Sequence, residues 1–303
     1  DGALVNADQL DFRMWDDWID RWRDARNHAV FLQADEKGWN GEKLGTPRFD
    51  RMVGSYFRVL HDRYRKALGC SSTLLLMPVD EPGGSWLGDN SVVTNLIVTW
   101  ARAIKASVPG IKIFEDPLYS NPMEGDSVFD VTDVICLPAD AFCKVGNDSF
   151  RAYFLKRQKE GRELWLYSCY GPSRTLDPES YYRAHAWMNY QMGGRGMGFW
   201  AFGCGGGRGD SWHAYAQPGT EYSPYFVSPT GTMPAKQSEG IREGVEDFEY
   251  LKMLEAAIVS AAKRGVDVSR AQKMLENAPE QALAQRRKYE RSYQIQWKDR
   301  KVS

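Results

Sequence analysis

The sequence predicts a parallel α/β fold, a (β/α)8 barrel whose first strands lie outside this chain. Three observations carry that expectation. Short apolar runs alternate with amphipathic helices along most of the 303 residues. The runs are short and separated by helices, the strand–helix succession of a parallel sheet with helical crossovers. Carboxylates and aromatic residues collect immediately after the runs, where parallel folds place their active sites.

Taken in order, the stretch from Asp8 to His28 reads as a helix. Phe12, Trp15, Trp18, Ile19 and Trp22 recur at spacings of three and four, which makes one apolar face. "AVFLQ" (29–33) is a first strand, and "RFDRMVGSYFRVLHDRYRKALG" (48–69) the helix after it. "TLLLMPVDEP" (73–82) is strand and turn. "SVVTNLIVTWARAIKASVPG" (91–110) is a helix with Gly110 as its stop. "IKIFEDP" (111–117) and "DVICLP" (133–138) are strands, and "FRAYFLKRQKEG" (150–161) is a helix. "ELWLYSCYG" (163–171) is a strand, followed by a helix over 178–194 with Pro178 suited to its first turn. "GMGFWAFG" (196–203) is the sixth strand and opens into a Gly-rich loop. A long helix over 238–265 carries Ile241, Val245, Phe248, Leu251 and Leu254 as an apolar stripe. Six strands fall short of eight and the chain starts on a helix, so the first two strands are expected upstream. An open doubly wound sheet is the alternative. Residues 1–262 are read as the barrel domain and 263–303 as a helical extension and tail.

Composition narrows the function classes. The 39 basic and 40 acidic residues leave a net charge of -1, which gives no electrostatic case for nucleic acid. No apolar run reaches the roughly 18 residues a bilayer span needs. The five cysteines (Cys70, Cys136, Cys143, Cys169, Cys204) form no CxxC, and the four histidines no HExxH, so no structural zinc site is expected, and the glycosidase chemistry read below calls for no metal or organic cofactor. Aromatic residues make up 13% of the chain, and such faces either fill cores or stack on sugars.

The strand ends offer Gln33, Asp35 and Glu36, then Asp80 and Glu81, then Glu115 and Asp116, then Pro138 and Asp140, then Tyr167 and Tyr170, and last Trp200 and Phe202. An acidic and aromatic mouth suits a sugar site better than phosphate or acyl transfer. Glycoside hydrolysis needs an acid for the leaving oxygen and a second group for the cationic centre. Glu81 fits the first role, and Trp86 and Val79 are apolar neighbours that suit it. Barrel glycosidases commonly take a carboxylate nucleophile from the seventh strand. Counted back from the chain end, that strand is "ELWLYSCYG", whose end has no Asp or Glu. This favours a nucleophile supplied by the substrate's own 2-acetamido oxygen, with Asp80 polarising the N–H. A bare "DEP" also makes an ordinary polar turn.

"MPVDEP" on a strand, "SEGIREGVEDFEYLKML" near the end, and "WLYSCYGP…RAHAWMNYQMGGRGMGFWAFG" between them resemble the catalytic domain of glycoside hydrolase family 123 over most of residues 9–260. The resemblance implies a β-N-acetylgalactosaminidase barrel, often preceded by a β-sandwich, acting by substrate assistance. It implies Glu81 as acid then base and Asp80 as stabiliser of the oxazolinium nitrogen. A secreted or periplasmic location is implied too. From strand-end position rather than from the resemblance, Tyr167 or Tyr170 would bond the acetamido oxygen and Trp200 would floor the sugar pocket, and Trp212 and His213, in the Gly-rich loop, would fold over the mouth as a lid or subsite. Glu115, Asp116 and Trp86 complete the expected sugar-binding set. The "REGVEDFEYL" carboxylates read as packing and surface chemistry, with Arg242 and Glu246 an i,i+4 pair.

Two other readings stay open. A non-catalytic glycan-binding or assembly barrel would be completed by an upstream domain or partner chain. A different glycosidase would pair Glu81 with Glu115 or Asp116. "GCGGGRG" (203–209) lacks nucleotide-loop spacing, "RGD" (208–210) is a chance-length match, and the basic tail reads as a solvated end.

Overall fold

The computed structural model describes residues 2–4, 6–144, 146–169, 178–203 and 224–288. They form two compact units. The first comprises residues 1–136 and 152–163, the second residues 137–151 and 164–303. Among the described residues the parallel strands are β1 (Asn27–Phe31), β2 (Thr73–Met77), β3 (Lys112–Glu115), β4 (Val134–Pro138), β5 (Glu163–Ser168) and β6 (Gly196–Phe199).

In the first unit β1 pairs with β2, β2 with β3 and β3 with β4, all parallel. This chain-order succession has no reversal, which is barrel order and not the switched order of a doubly wound sheet. The fold class is therefore a partial (β/α)8 set. Leu74 to Met77 are all buried, so β2 is covered on both faces. The face carrying Leu74 and Leu76 packs into one core with helices α2 (Pro47–Leu68) and α3 (Asn90–Ser107), which follow α1 (Arg13–Arg21). Phe49, Val53, Phe57 and Tyr64 of α2 and Ile97, Trp100 and Ile104 of α3 fill the core. Thr46 caps α2 by accepting the Phe49 N–H at 3.1 Å, with Pro47 in the first turn. Gly54 allows the two helices to meet, because a Cβ there would fall 1.9 Å from Ser107 Oγ.

The start of β3 is stapled from the side. Lys105 Nζ lies 2.7 and 2.8 Å from the two Asp133 oxygens, and Asp133 also accepts the Ile113 N–H at 2.8 Å. β1 begins two residues before the expected 29–33. His28 is polar in sequence but fully enclosed, its Nδ1 2.9 Å from Tyr64 Oη and its Nε2 2.9 Å from the Trp22 carbonyl. Both ring nitrogens are satisfied internally, so the residue behaves as core. α1 is correspondingly shorter than the expected 8–28, and Trp22 is 57% exposed rather than part of the apolar face.

In the second unit β5 and β6 are parallel neighbours, with Trp165 opposite Gly196 and Ser168 opposite Phe199. β6 stops at Phe199, short of the expected 203. A hairpin of β7 (Tyr225–Ser228) and β8 (Gly231–Pro234) leads to the long helix Lys236–Lys263. Arg183, at the end of a π-helical turn (Glu179–Arg183), sends a fork to Asp247 (2.7 and 3.0 Å) and to Glu243 (2.8 Å) on that helix. Trp187 Nε1 donates to the same Asp247 at 2.8 Å. Gly244 is required there, since a Cβ would meet the Arg183 carbonyl at 2.9 Å. The "REGVEDFEYL" carboxylates thus do hold helices together, and Arg242 pairs with Glu246 across one turn. A further helix, Ser269–Lys288, buries Leu283. No helix among the described residues is long and apolar enough to cross a membrane.

Candidate active site

The first unit brings four carboxyl side chains to the C-terminal ends of β2 and β3. β2 ends at Met77, and its backbone still receives the Leu32 N–H at 2.9 Å. Pro78 then accepts from the Ala34 N–H at 3.1 Å, so the chain leaves the sheet through Pro78 and Val79 before reaching Asp80. Asp80 is exposed and Glu81 partly buried. Glu81 has a left-handed backbone, φ +49°, a conformation that costs a non-glycine residue about 1 kcal/mol.

Backbone and side-chain contacts hold that geometry. The Glu81 N–H donates to Asp116 Oδ1 at 2.8 Å. The Gly84 N–H donates to the Glu81 carbonyl at 3.0 Å, and the Leu118 N–H to the Pro82 carbonyl at 2.8 Å. Gly83 (φ +92°) lies directly on Tyr119: a Cβ there would sit 2.6 Å from the Tyr119 nitrogen and 2.7 Å from its ring. The Tyr119 ring also lies against Gly125, and its hydroxyl is 3.3 Å from Thr94 Oγ1. Reading strand ends alone misses Tyr119, which stands three residues beyond Asp116. The glycines that accept its ring are the signal that was available.

Glu115 and Asp116 differ from the first pair. Glu115 is the last residue of β3, is 0% exposed, and neither carboxyl oxygen has a hydrogen-bond partner of good geometry. Burial, then the charges of Asp116 and Asp80, push its carboxyl well above the usual range, with the Val79 amide opposing. Burial also pushes Asp116 up to about 8; the Glu81 N–H opposes this and the Asp80 and Glu81 charges add to it. Every titratable neighbour named here is acidic. Cys136 on β4 is buried and raised in turn, by burial and by Asp116.

The other expected site residues fall as follows. Trp86 is 63% exposed, with its indole against Gly84. Tyr167 and Trp200 belong to the second unit. Tyr167 is the penultimate residue of β5, opposite Gly198. Trp200 follows β6, is 64% exposed, and donates its backbone N–H to the Ser168 carbonyl at 3.0 Å. Tyr170, Trp212 and His213 lie outside the described residues. Among the described residues no group of His, Cys, Asp and Glu is arranged to hold a metal ion.

No protein-family model matches the chain, and no curated protein does. Among solved structures it is similar to a β-glucuronidase from an uncultured Clostridium species, at 14% identity and a TM-score of 0.41, over 77% of this chain and 47% of that one. It is also similar to the endo-β-1,4-mannanase of Thermotoga petrophila, at 13% identity and a TM-score of 0.37, over 76% of this chain and 68% of that one. The chain spans about half the length of the glucuronidase.

Proposed function

We propose that the chain is the catalytic portion of a retaining exo-glycosidase, of the family 123 type, that removes terminal β-linked N-acetylgalactosamine or a related N-acetylhexosamine. The observation that carries this reading is the adjacent pair Asp80–Glu81 at the C-terminal end of β2, one side chain exposed, the other partly buried on a backbone held by a second strand end. Adjacent carboxylates with unequal surroundings suit two different jobs.

In the first step the substrate's acetamido oxygen attacks the anomeric carbon and the glycosidic C–O bond breaks. Glu81 gives its proton to the departing oxygen, while Asp80 accepts a hydrogen bond from the acetamido N–H and stabilises the oxazolinium cation. In the second step Glu81 takes a proton from water, the water oxygen bonds to the same carbon, and the ring reopens to the acetamide. Two displacements return the original anomeric configuration.

A two-carboxylate mechanism with Glu115 or Asp116 as nucleophile has less support. Glu115 is enclosed, and Asp116 already spends an oxygen on the Glu81 N–H and holds its proton up to about 8. A neutral carboxyl is a poor nucleophile.

The test is turnover of an aryl β-N-acetylgalactosaminide beside the matching β-galactoside, which lacks the acetamido group. We expect cleavage of the first only, lost in Glu81→Gln and reduced in Asp80→Asn. Equal cleavage of both would transfer the case to the two-carboxylate mechanism. A folded chain, supplied with any preceding strands, that cleaves neither favours the glycan-binding barrel.

A further inference from the structure

We propose that Asp116 is a positioning residue for this site: by accepting the Glu81 N–H it fixes the left-handed backbone from which the Glu81 carboxyl is presented. The role deepens the reading above and rests on it for its kinetic consequence, though not for the contact itself.

The geometry is specific. Among the contacts described above for the Asp80–Gly84 turn, the 2.8 Å bond from the Glu81 N–H to Asp116 Oδ1 is made by a side chain, the others backbone to backbone. Glu is a poor occupant of φ +49°, so that conformation needs outside support. Gly83 and Tyr119 bring the two strand ends together, and Leu118 ties to Pro82. Asp116 then meets the amide of the residue that needs holding. A simple turn could have used glycine at position 81 and dispensed with the bond.

The surroundings make the contact sensitive to pH. Asp116 faces Asp80 and Glu81 from the β2 loop, Glu115 on its own strand and Cys136 on β4; Glu115 in turn faces Tyr119. All are acids. At neutral pH Asp116 therefore keeps its proton and accepts through a neutral carbonyl-type oxygen. Ionisation at about 8 turns the bond into a charge-assisted one and sets a new negative charge beside the catalytic pair.

The test compares Asp116→Ala with Asp116→Asn, using kinetics and the Glu81 amide resonance in protein labelled with ¹⁵N-glutamate. Glu81→Gln identifies the resonance by its disappearance. Asparagine still offers an acceptor oxygen but does not titrate. Alanine is expected to lower kcat by about 10- to 100-fold with little change in KM, the scale of a misplaced catalytic group, and asparagine to recover most of that loss. The wild-type Glu81 amide should shift with an inflection near pH 8 that Asp116→Asn abolishes, and the alkaline limb of kcat should change with it. A Glu81 amide resonance that keeps its wild-type position in Asp116→Ala overturns the proposal, whether or not a substrate has been found. So does an active Asp116→Ala protein with wild-type kcat and pH profile. If wild type turns over no hexosaminide while the amide behaves as expected, the functional reading fails and the positioning contact stands. Should alanine not fold, the asparagine variant and the resonance decide.

Discussion

Two neighbouring strands of the first unit run into nearly the same residues: β2 into Asp80, Glu81 and Pro82, β3 into Glu115, Asp116 and Pro117. Asp80 reaches solvent and Glu115 is fully enclosed, with Glu81 and Asp116 partly buried between them. The cause is where regular structure stops. β2 ends at Met77, and Pro78 and Val79 carry the chain off the sheet before its carboxylates arrive. β3 continues through Glu115, two residues after Ile113 and therefore on the same buried face. A shift of three residues in the strand end separates the candidate catalytic pair from its supporting pair. Enclosing Glu115 costs stability, since neither of its carboxyl oxygens has a hydrogen-bond partner of good geometry.

The largest difference should appear in activity. Glu81→Gln is expected to reduce kcat by about 10²- to 10⁴-fold, the usual contribution of a general acid, with the fold intact by circular dichroism. Glu115→Gln should change kcat by no more than a few-fold, because Glu115 is enclosed and touches no substrate. Comparable losses of kcat in the two variants would break the contrast between the strand ends.

Stability against pH should separate them next. Glu115 and Asp116 both have folded-state pKa values above their unfolded ones, Asp116 at about 8 against an ordinary 3.8. Between those limits the folded state holds protons the unfolded chain has released. Stability is therefore full below about pH 4 on this account and falls as pH rises towards 8, by on the order of a few kcal/mol after allowance for the partial exposure of Asp116. Urea midpoints at pH 5 and pH 8 measure the slope. Asp116→Asn should flatten it in part, and a wild-type slope in that variant would show that Asp116 does not contribute to it.

Much of this arrangement could be read from residues alone. "TLLLM" is apolar at four of five positions, so its place as a buried parallel strand was plain, and with it the position of Asp80 and Glu81 beyond its end. The burial of Glu115 was legible in principle, because "KIFE" alternates and Ile113 fixes the inward face. Treating all post-strand carboxylates alike concealed it. The early start of β1 was not legible, since nothing local announces that His28 finds Tyr64, thirty-six residues away, as a partner. The hairpin Tyr225–Pro234 was hidden for another reason: its strands have four residues each and are only partly buried or exposed, too short to show a period.

Gly83 tests whether the two strand ends must touch. Its φ of +92° and the 2.6 Å approach to the Tyr119 nitrogen leave no room for a methyl group. Gly83→Ala should destabilise the fold by about 1–3 kcal/mol and, by moving the turn that carries Glu81, lower kcat as well. Thermal melting together with kinetics would show both effects. A loss of stability with unchanged kcat would mean that the turn tolerates displacement, which would weaken the case for a closely held Glu81.

The smallest effect is expected from a carboxylate that is neither exposed nor unpartnered. Asp247 in the second unit takes both ends of the Arg183 fork and the Trp187 Nε1–H, so its burial is compensated where that of Glu115 is not. Asp247→Asn keeps one acceptor oxygen and loses the charge. It should cost roughly 1–2 kcal/mol of stability, lessened by salt and by the partial exposure of Arg183, and leave kcat unchanged. Denaturation at low and high ionic strength, read beside the hexosaminide assay, makes the comparison. If Asp247→Asn instead abolished turnover in a protein that melts normally, "REGVEDFEYL" would have to be reread as part of the chemistry rather than as the brace between Arg183 and the long helix.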